Sequence, residues 1–188
     1  NAIKEIEGPQ CSGVVLVPSG MNAVATALLT VVSAGDHVLI TDSVYRPTRN
    51  FSDSVLKRLG VETTYYEPLI GERIEKLMKP NTRVVFVEAP GSQSFEMQDI
   101  PAIAAVAHAK GAAVLMDNTW ATPLYFPALE KGVDLSIQAG TKYIGGHSDI
   151  MFGTVSAYEA YAGRLKETFN TLGLCAGPDD INLAQRGL

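Results

Sequence analysis

Short β-branched runs alternate with longer helical stretches along this chain, and that alternation leaves few folds open. Val14–Val17, His37–Thr41, Val61–Tyr65, Arg83–Glu88, Ala112–Met116 and Asp134–Gln138 read as strands, with Thr154–Ala157 as one more. Between them, Met21–Ser33, Pro47–Leu59, Glu72–Lys79 and Pro101–Lys110 read as helices. Gly60 and Gly111 stop two of these helices, Pro80 ends another, and Pro101 opens the last at its first turn. Strands joined by helices of this length imply right-handed crossovers. The expected fold is α/β, a mostly parallel sheet with helices on both faces, in three layers. At 188 residues, with 46 % apolar and 19 % charged residues, the chain fits one large domain with a substantial core.

In such a sheet, ligands sit at the carboxyl ends of the strands. Ser19, Asp42, Glu88, Asp117 and Thr141 each follow a strand end, so the polar residues able to do chemistry are expected along one edge. The most informative of these segments is Ser136–Gly146. It holds one lysine, Lys142, among small, apolar and uncharged polar residues. From Leu135 to Ser148 nothing else carries a full charge, leaving His147 aside. A buried ammonium without an acidic partner loses its proton more readily, and the neutral amine attacks aldehydes. The expectation is therefore a Schiff-base lysine in a dry crevice; the alternative is a surface lysine on a loop.

Three further features bear on that lysine. Pro18–Ala23 joins a strand to a helix, with Ser19 placed as N-cap and Gly20 permitting close approach. The free N–H groups of Gly20 and Met21 could hold a phosphate there without a basic side chain. An ordinary capped helix is the alternative. The loop has neither the P-loop nor the G-x-G-x-x-G pattern, which argues against a nucleoside triphosphate or a dinucleotide. Asp117 ends the wholly apolar run Ala112–Met116, where a carboxylate needs a partner such as a cationic ring nitrogen. It could equally cap the turn Asp117–Thr119. Tyr45, just past a strand end, could stack on an aromatic ligand or be a half-buried loop tyrosine. Thr141, beside Lys142, could donate its hydroxyl to the same phosphate. A phosphate cradle, a stacking ring, an anion for a pyridine nitrogen and an amine for an aldehyde are together the four handles of pyridoxal 5′-phosphate.

These residues resemble the Cys/Met-metabolism family of pyridoxal-phosphate (PLP) enzymes. The resemblance rests on Ser19–Met21, Asp42–Tyr45, Asp117–Thr119 and Thr141–Tyr143, followed by Gly145–Asp149. It covers nearly the whole chain. Within the family, Glu88–Ser92 is similar to the β-lyases, whereas the γ-lyases and γ-synthases more often carry Asn-Pro after that proline. The resemblance implies a fold-type I large domain spanning residues 1–188, without the family's amino-terminal arm or carboxyl-terminal domain. It implies Lys142 as Schiff-base lysine and proton shuttle, Asp117 against the pyridinium nitrogen, and Tyr45 on the ring. Gly20, Met21 and Thr141 would hold the phosphate. Ala139 stands where the family often has a serine, and Ser92 where it often has asparagine.

The implied reaction is α,β-elimination of cystathionine to homocysteine, pyruvate and ammonia. The alternatives are a γ-lyase, γ-synthase or methionine γ-lyase of the same family, or a non-catalytic assembly fragment. The family's substrate-carboxylate arginine, and the phosphate-binding tyrosine and arginine lent by a neighbouring subunit, match nothing here, so the chain alone is expected to turn over slowly or not at all. A homotetramer built from dimers is implied. The net charge of −5 argues against nucleic acid or an anionic membrane as partner. The uncharged run Gly8–Gly35 is cut by Pro18–Gly20 into pieces too short to span a membrane, and no signal-peptide pattern is present. Cys11 and Cys175 are far apart and read as free thiols of a cytoplasmic protein. His37, His108 and His147 form no metal-ligand cluster. The chain begins with Asn1 rather than Met and is expected to be a piece of something longer.

Overall fold

In a computed structural model, which describes residues 2–188, the β-branched runs become seven strands of one sheet. They are β1 (Gly13–Val17), β2 (His37–Thr41), β3 (Glu62–Tyr66), β4 (Thr82–Glu88), β5 (Ala113–Asp117), β6 (Leu135–Gln138) and β7 (Gly153–Ala157). The spatial order is β1-β7-β6-β5-β4-β2-β3. Pairing is parallel from β6 through β5, β4 and β2 to β3, and β7 runs antiparallel to both its neighbours. Six strands therefore share one direction, and their carboxyl ends meet on one rim, as the alternation predicts.

Seven helices surround the sheet: α1 (Ala2–Ile6), α2 (Gly20–Val31), α3 (Arg46–Phe51), α4 (Ile100–Ala109), α5 (Thr122–Tyr125), α6 (Glu159–Thr171) and α7 (Pro178–Gly187). Side chains alternate between the faces of each strand. Val38, Ile40, Val84, Phe86, Leu115 and Ile137 lie in one core with the apolar faces of α2 and α6. Leu39, Val85, Val87, Val114 and Met116 lie in a second core with Ile103, Ala104 and Ala107 of α4. Both faces are covered, which is why the strands read as unbroken apolar runs rather than alternating ones. Burying each large aliphatic or aromatic side chain contributes about 1.5–3 kcal/mol, and these two layers hold the rim in place.

Two expected helices differ from their reading, and a third helix lies where none is expected. Residues 47–59 begin as α3, but Ser52–Leu56 widens into a π-helical turn. There Ser52 Oγ donates to Thr48 O at 3.1 Å and Ser54 Oγ donates to Asn50 O at 2.5 Å, so hydroxyls compete for backbone carbonyls. Glu72–Lys79 is instead a 3-10 helix at Gly71–Leu77, with Ile74 as its one buried side chain; so short a segment anchored at one point gains little from α-helical packing. The segment 159–171, assigned nothing from sequence, is α6. Its Tyr161, Ala162, Leu165 and Phe169 recur at helical spacing and pack on the first core.

At the antiparallel end of the sheet, polar side chains face inward. Ser136, Gln138, Thr154 and Ser156 are all buried on one face of β6 and β7. Glu7, just after α1, is fully buried over them. Ser136 Oγ donates to Glu7 Oε1 at 3.1 Å and Gln138 Nε2 to the same oxygen at 3.5 Å. Glu7 Oε2, Ser156 Oγ and Thr154 Oγ1 have no protein partner. Both cysteines are free thiols, Cys11 buried and Cys175 exposed. No helix among the described residues is long and apolar enough to cross a membrane, and no group of three or more His, Cys, Asp or Glu lies together there as a metal site.

Candidate active site

Three of the residues singled out from sequence meet at the rim. Tyr45 follows β2, Asp117 ends β5, Lys142 follows β6, and all three line one cleft of about 320 Å³. Glu88, ending β4, lines it with them, as do Ser92, Phe95, Thr119, Trp120 and Tyr143. Lys142 Nζ lies 5.4 Å from the centre of the Tyr45 ring. Trp120 stacks on Tyr143 with centroids 6.0 Å apart, and Phe95 lies 6.2 Å from Trp120 at a tilt. The cleft is thus an aromatic-walled slot with an amine at one side and two carboxyls on its floor.

The environment of the lysine corrects the expectation built on its neighbours in sequence. Lys142 is exposed, and its charge pulls on the carboxyls of Glu88 and Asp117. The stretch around it is free of charge, but β4 and β5 deliver two acidic groups from elsewhere in the chain. The amine sits in an open cleft among carboxyls rather than unpartnered in a dry crevice.

Those carboxyls are perturbed by burial. Glu88 and Asp117 are register partners across the parallel pair β4 and β5, so both emerge on the same side of the sheet. Burial, then the charge of Asp117, pushes Glu88 up to about 8, against the pull of the Tyr45 N–H and Lys142. Burial also raises Asp117, opposed chiefly by its bonds to Thr119 and by Lys142. Asp117 Oδ1 accepts the Thr119 N–H at 3.1 Å, so the turn reading of Asp117–Thr119 and the cleft reading hold together. Thr119 Oγ1 in turn accepts the Ala139 N–H at 2.7 Å, tying the end of β5 to the loop that carries Lys142.

Gly20 and Met21 do not line this cleft; they open α2 beside it. Ser19 caps the helix, its Oγ accepting the Asn22 N–H at 3.1 Å. The N–H groups of Gly20 and Met21 have no partner among the described residues. Gly20 is required by packing: a Cβ there would fall 2.6 Å from the Ala139 Cβ. That contact brings the helix start against the root of the lysine loop. The side chain of Met21 packs on the first core, which leaves its backbone N–H as its polar contribution. Thr141 is also outside the cleft lining. Its Oγ1 donates to Phe152 O at 3.1 Å and accepts the Phe152 N–H at 2.9 Å. The hydroxyl is committed to the backbone, and giving its proton to a phosphate requires breaking the bond to Phe152 O. Asp42, another strand-end residue, turns outward to an ion pair with Arg49.

The match to the family model "Cys/Met metabolism PLP-dependent enzyme" runs over residues 1–188. The chain belongs to this family. A protein named putative cystathionine beta-lyase from Rhizobium johnstonii is 59 % identical over 187 residues, covering 100 % of this chain and 47 % of that protein. Cystathionine beta-lyase MetC of Escherichia coli is 42 % identical over 189 residues, again across 100 % of this chain and 47 % of its own length. The crystal structure of metB from Corynebacterium glutamicum superposes with a TM-score of 0.91 at 29 % identity, over 100 % of this chain and 48 % of that one. The chain spans about half the length of the relatives it matches. The fold is that of the family's PLP enzymes, and pyridoxal 5′-phosphate is the expected cofactor. The residues present fit it: a primary amine beside an aromatic face, a half-buried carboxyl in the cleft lining, and two unpartnered backbone N–H groups at an adjoining helix start.

The sequence places Glu88 on the rim without a specific role and does not single out Phe95 or Trp120. Glu88 ends an apolar strand just as Asp117 does, and the argument applied to Asp117 would have marked it too.

Proposed function

We propose that residues 1–188 form the cofactor-binding large domain of a PLP-dependent carbon–sulfur lyase that cleaves cystathionine by α,β-elimination. With water, the products are homocysteine, pyruvate and ammonia. The observation carrying this reading is the convergence of Lys142, Asp117 and Tyr45 in one cleft, in a chain whose relatives are named cystathionine beta-lyase.

The cofactor, when bound, supplies an aldehyde to hold the amino acid and a ring that draws electrons from Cα. The protein's residues supply the rest. The Lys142 amine takes the proton from the substrate's Cα and returns a proton to the departing sulfur. The Asp117 carboxylate, sheltered at the end of β5, holds a proton on the ring nitrogen. Tyr45 provides the face on which the ring lies. Gly20 and Met21 offer backbone N–H groups to the phosphate at the positive end of α2, and Thr141 contributes its hydroxyl if it leaves Phe152. The substrate is a sulfur-containing amino acid, and the assembled protein is a cytoplasmic homotetramer built from dimers.

Borohydride reduction of the protein with PLP, followed by peptide mapping, tests the site. The label is expected on Lys142, and Lys142→Ala should remove both the label and the visible absorption band; a label on another lysine refutes the assignment. Product analysis tests the reaction. Pyruvate from cystathionine supports β-elimination, whereas 2-oxobutyrate assigns the γ-chemistry of the same family.

A further inference from the structure

Glu88 is placed to do more than line the cleft. Its Oε2 accepts the backbone N–H of Tyr45 at 2.9 Å, a bond from the end of β4 to the loop after β2. The same two segments are joined again where the Ser92 N–H donates to Ser43 O at 3.0 Å. Behind Glu88, Gln98 Nε2 donates to the Glu88 carbonyl at 3.0 Å, and the Tyr66 hydroxyl donates to Gln98 Oε1 at 3.1 Å. Glu88 itself is 6 % exposed. The side chain is thus pinned at its root, buried along its length, and bonded at its tip to the residue whose ring faces Lys142.

We propose that Glu88 is a positioning residue, a neutral acid whose carboxyl oxygen fixes the Tyr45 ring over the cleft without adding a second negative charge beside Asp117. This rests on the PLP reading of the cleft. As an acid, Glu88 brings no charge of its own to the space between Asp117 and Lys142. As a carboxylate it would place its charge in register beside the Asp117 carboxyl, the neighbour that opposes its ionisation. The groups facing it are Asp117 from β5, Lys142 from the loop after β6 and the Tyr45 backbone from the loop after β2. In its own loop, Glu96 packs an oxygen 3.1 Å from where a Gly91 Cβ would lie. The elements behind β4 contribute the uncharged Gln98 and Tyr66. Burial and Asp117 hold the Glu88 proton up to about pH 8, so its ionisation falls within a range where proteins remain folded.

Glu88→Gln keeps the acceptor oxygen without a charge, and Glu88→Ala removes both. Two measurements separate this inference from the cofactor reading. In cofactor-free protein, hydrogen exchange of the Tyr45 amide should match wild type in Glu88→Gln and run about tenfold faster in Glu88→Ala, the effect of one lost hydrogen bond. Unchanged exchange in Glu88→Ala overturns the proposal whether or not PLP binds. In PLP titrations followed by Trp120 fluorescence, wild-type affinity should change between pH 7 and 9 and that change should vanish in Glu88→Gln, with the pH 7 affinity kept. Loss of affinity in Glu88→Gln as large as in Glu88→Ala overturns it, because a charge rather than an acceptor would then be needed. If wild type takes up no PLP, the cofactor reading fails, and the exchange measurement decides the role of Glu88.

Discussion

Replacing Glu7 with glutamine tests the energetics of the antiparallel end of the sheet. Glu7 is fully buried, with two donors on one oxygen and none on the other. Burial raises its pKa from 4.5 to about 7, opposed chiefly by its bonds to Ser136 and Gln138. Below pH 4.5 the carboxyl is neutral both folded and unfolded, and the fold carries no penalty. As pH rises, the unfolded chain ionises first, so the folded state binds more protons and stability falls with pH. The loss is complete once pH passes the folded value of about 7. At about 1.4 kcal/mol for each pH unit, the rise from 4.5 to about 7 amounts to about 3 kcal/mol. Glu7→Gln keeps the acceptor for Ser136 and adds N–H donors near the unpartnered Ser156 oxygen, with nothing to ionise. Urea unfolding of both proteins from pH 5 to 8, followed by circular dichroism, is the measurement. The two should be similar near pH 5, and the variant should be more stable by about 3 kcal/mol at pH 8. Other carboxyls, Glu88 included, titrate in both proteins and cancel in the difference. Parallel pH profiles for the two proteins would refute the argument, because Glu7 would then ionise in place at little cost.

Other changes give separate outcomes. Gly20→Ala drives a methyl group to 2.6 Å from Ala139 and should cost about 1–3 kcal/mol in thermal unfolding, with weaker PLP uptake because the start of α2 moves. Thr119→Val keeps the shape but strands the Ala139 N–H, and should cost about 1–3 kcal/mol by the same assay. Asp117→Asn removes one of the two causes that raise Glu88, so the midpoint of the Glu88 titration should move below about 8, read from pH-dependent Trp120 fluorescence in cofactor-free protein. Leu115→Ala opens a void in a fully buried layer and should cost about 2–5 kcal/mol in urea unfolding.

The sheet was legible because its strands are apolar on both faces, and Gly and Pro mark where helices stop. Val38 and Leu39 point to opposite cores, yet both are hydrophobic, so the run stands out without any periodicity. Helix type was less legible. The π turn at Ser52–Leu56 depends on which carbonyl a serine hydroxyl reaches, and propensity does not encode that. In the site, the residue types at the rim could be named one by one, since each follows a strand. Their mutual electrostatics could not. The charge-free stretch around Lys142 is a local property, whereas the acids that face it arrive through the pairing of β4 with β5 and β5 with β6. The same holds for Glu7. Nothing near it in sequence marks it as buried, and its surroundings are made by Ser136, Gln138 and Ser156 on distant strands.

The single reversed strand has a consequence for the lysine segment. Because β7 returns antiparallel to β6, the chain between them leaves and re-enters the sheet at neighbouring points. Thr141 and Phe152 close that opening with three hydrogen bonds, like a knotted drawstring. Lys142 is the first residue past the knot, so its Cα is anchored by the sheet rather than by the bight beyond it. Residues gained or lost between Gly146 and Ile150 should therefore reshape the far end of the bight and leave the amine where it is.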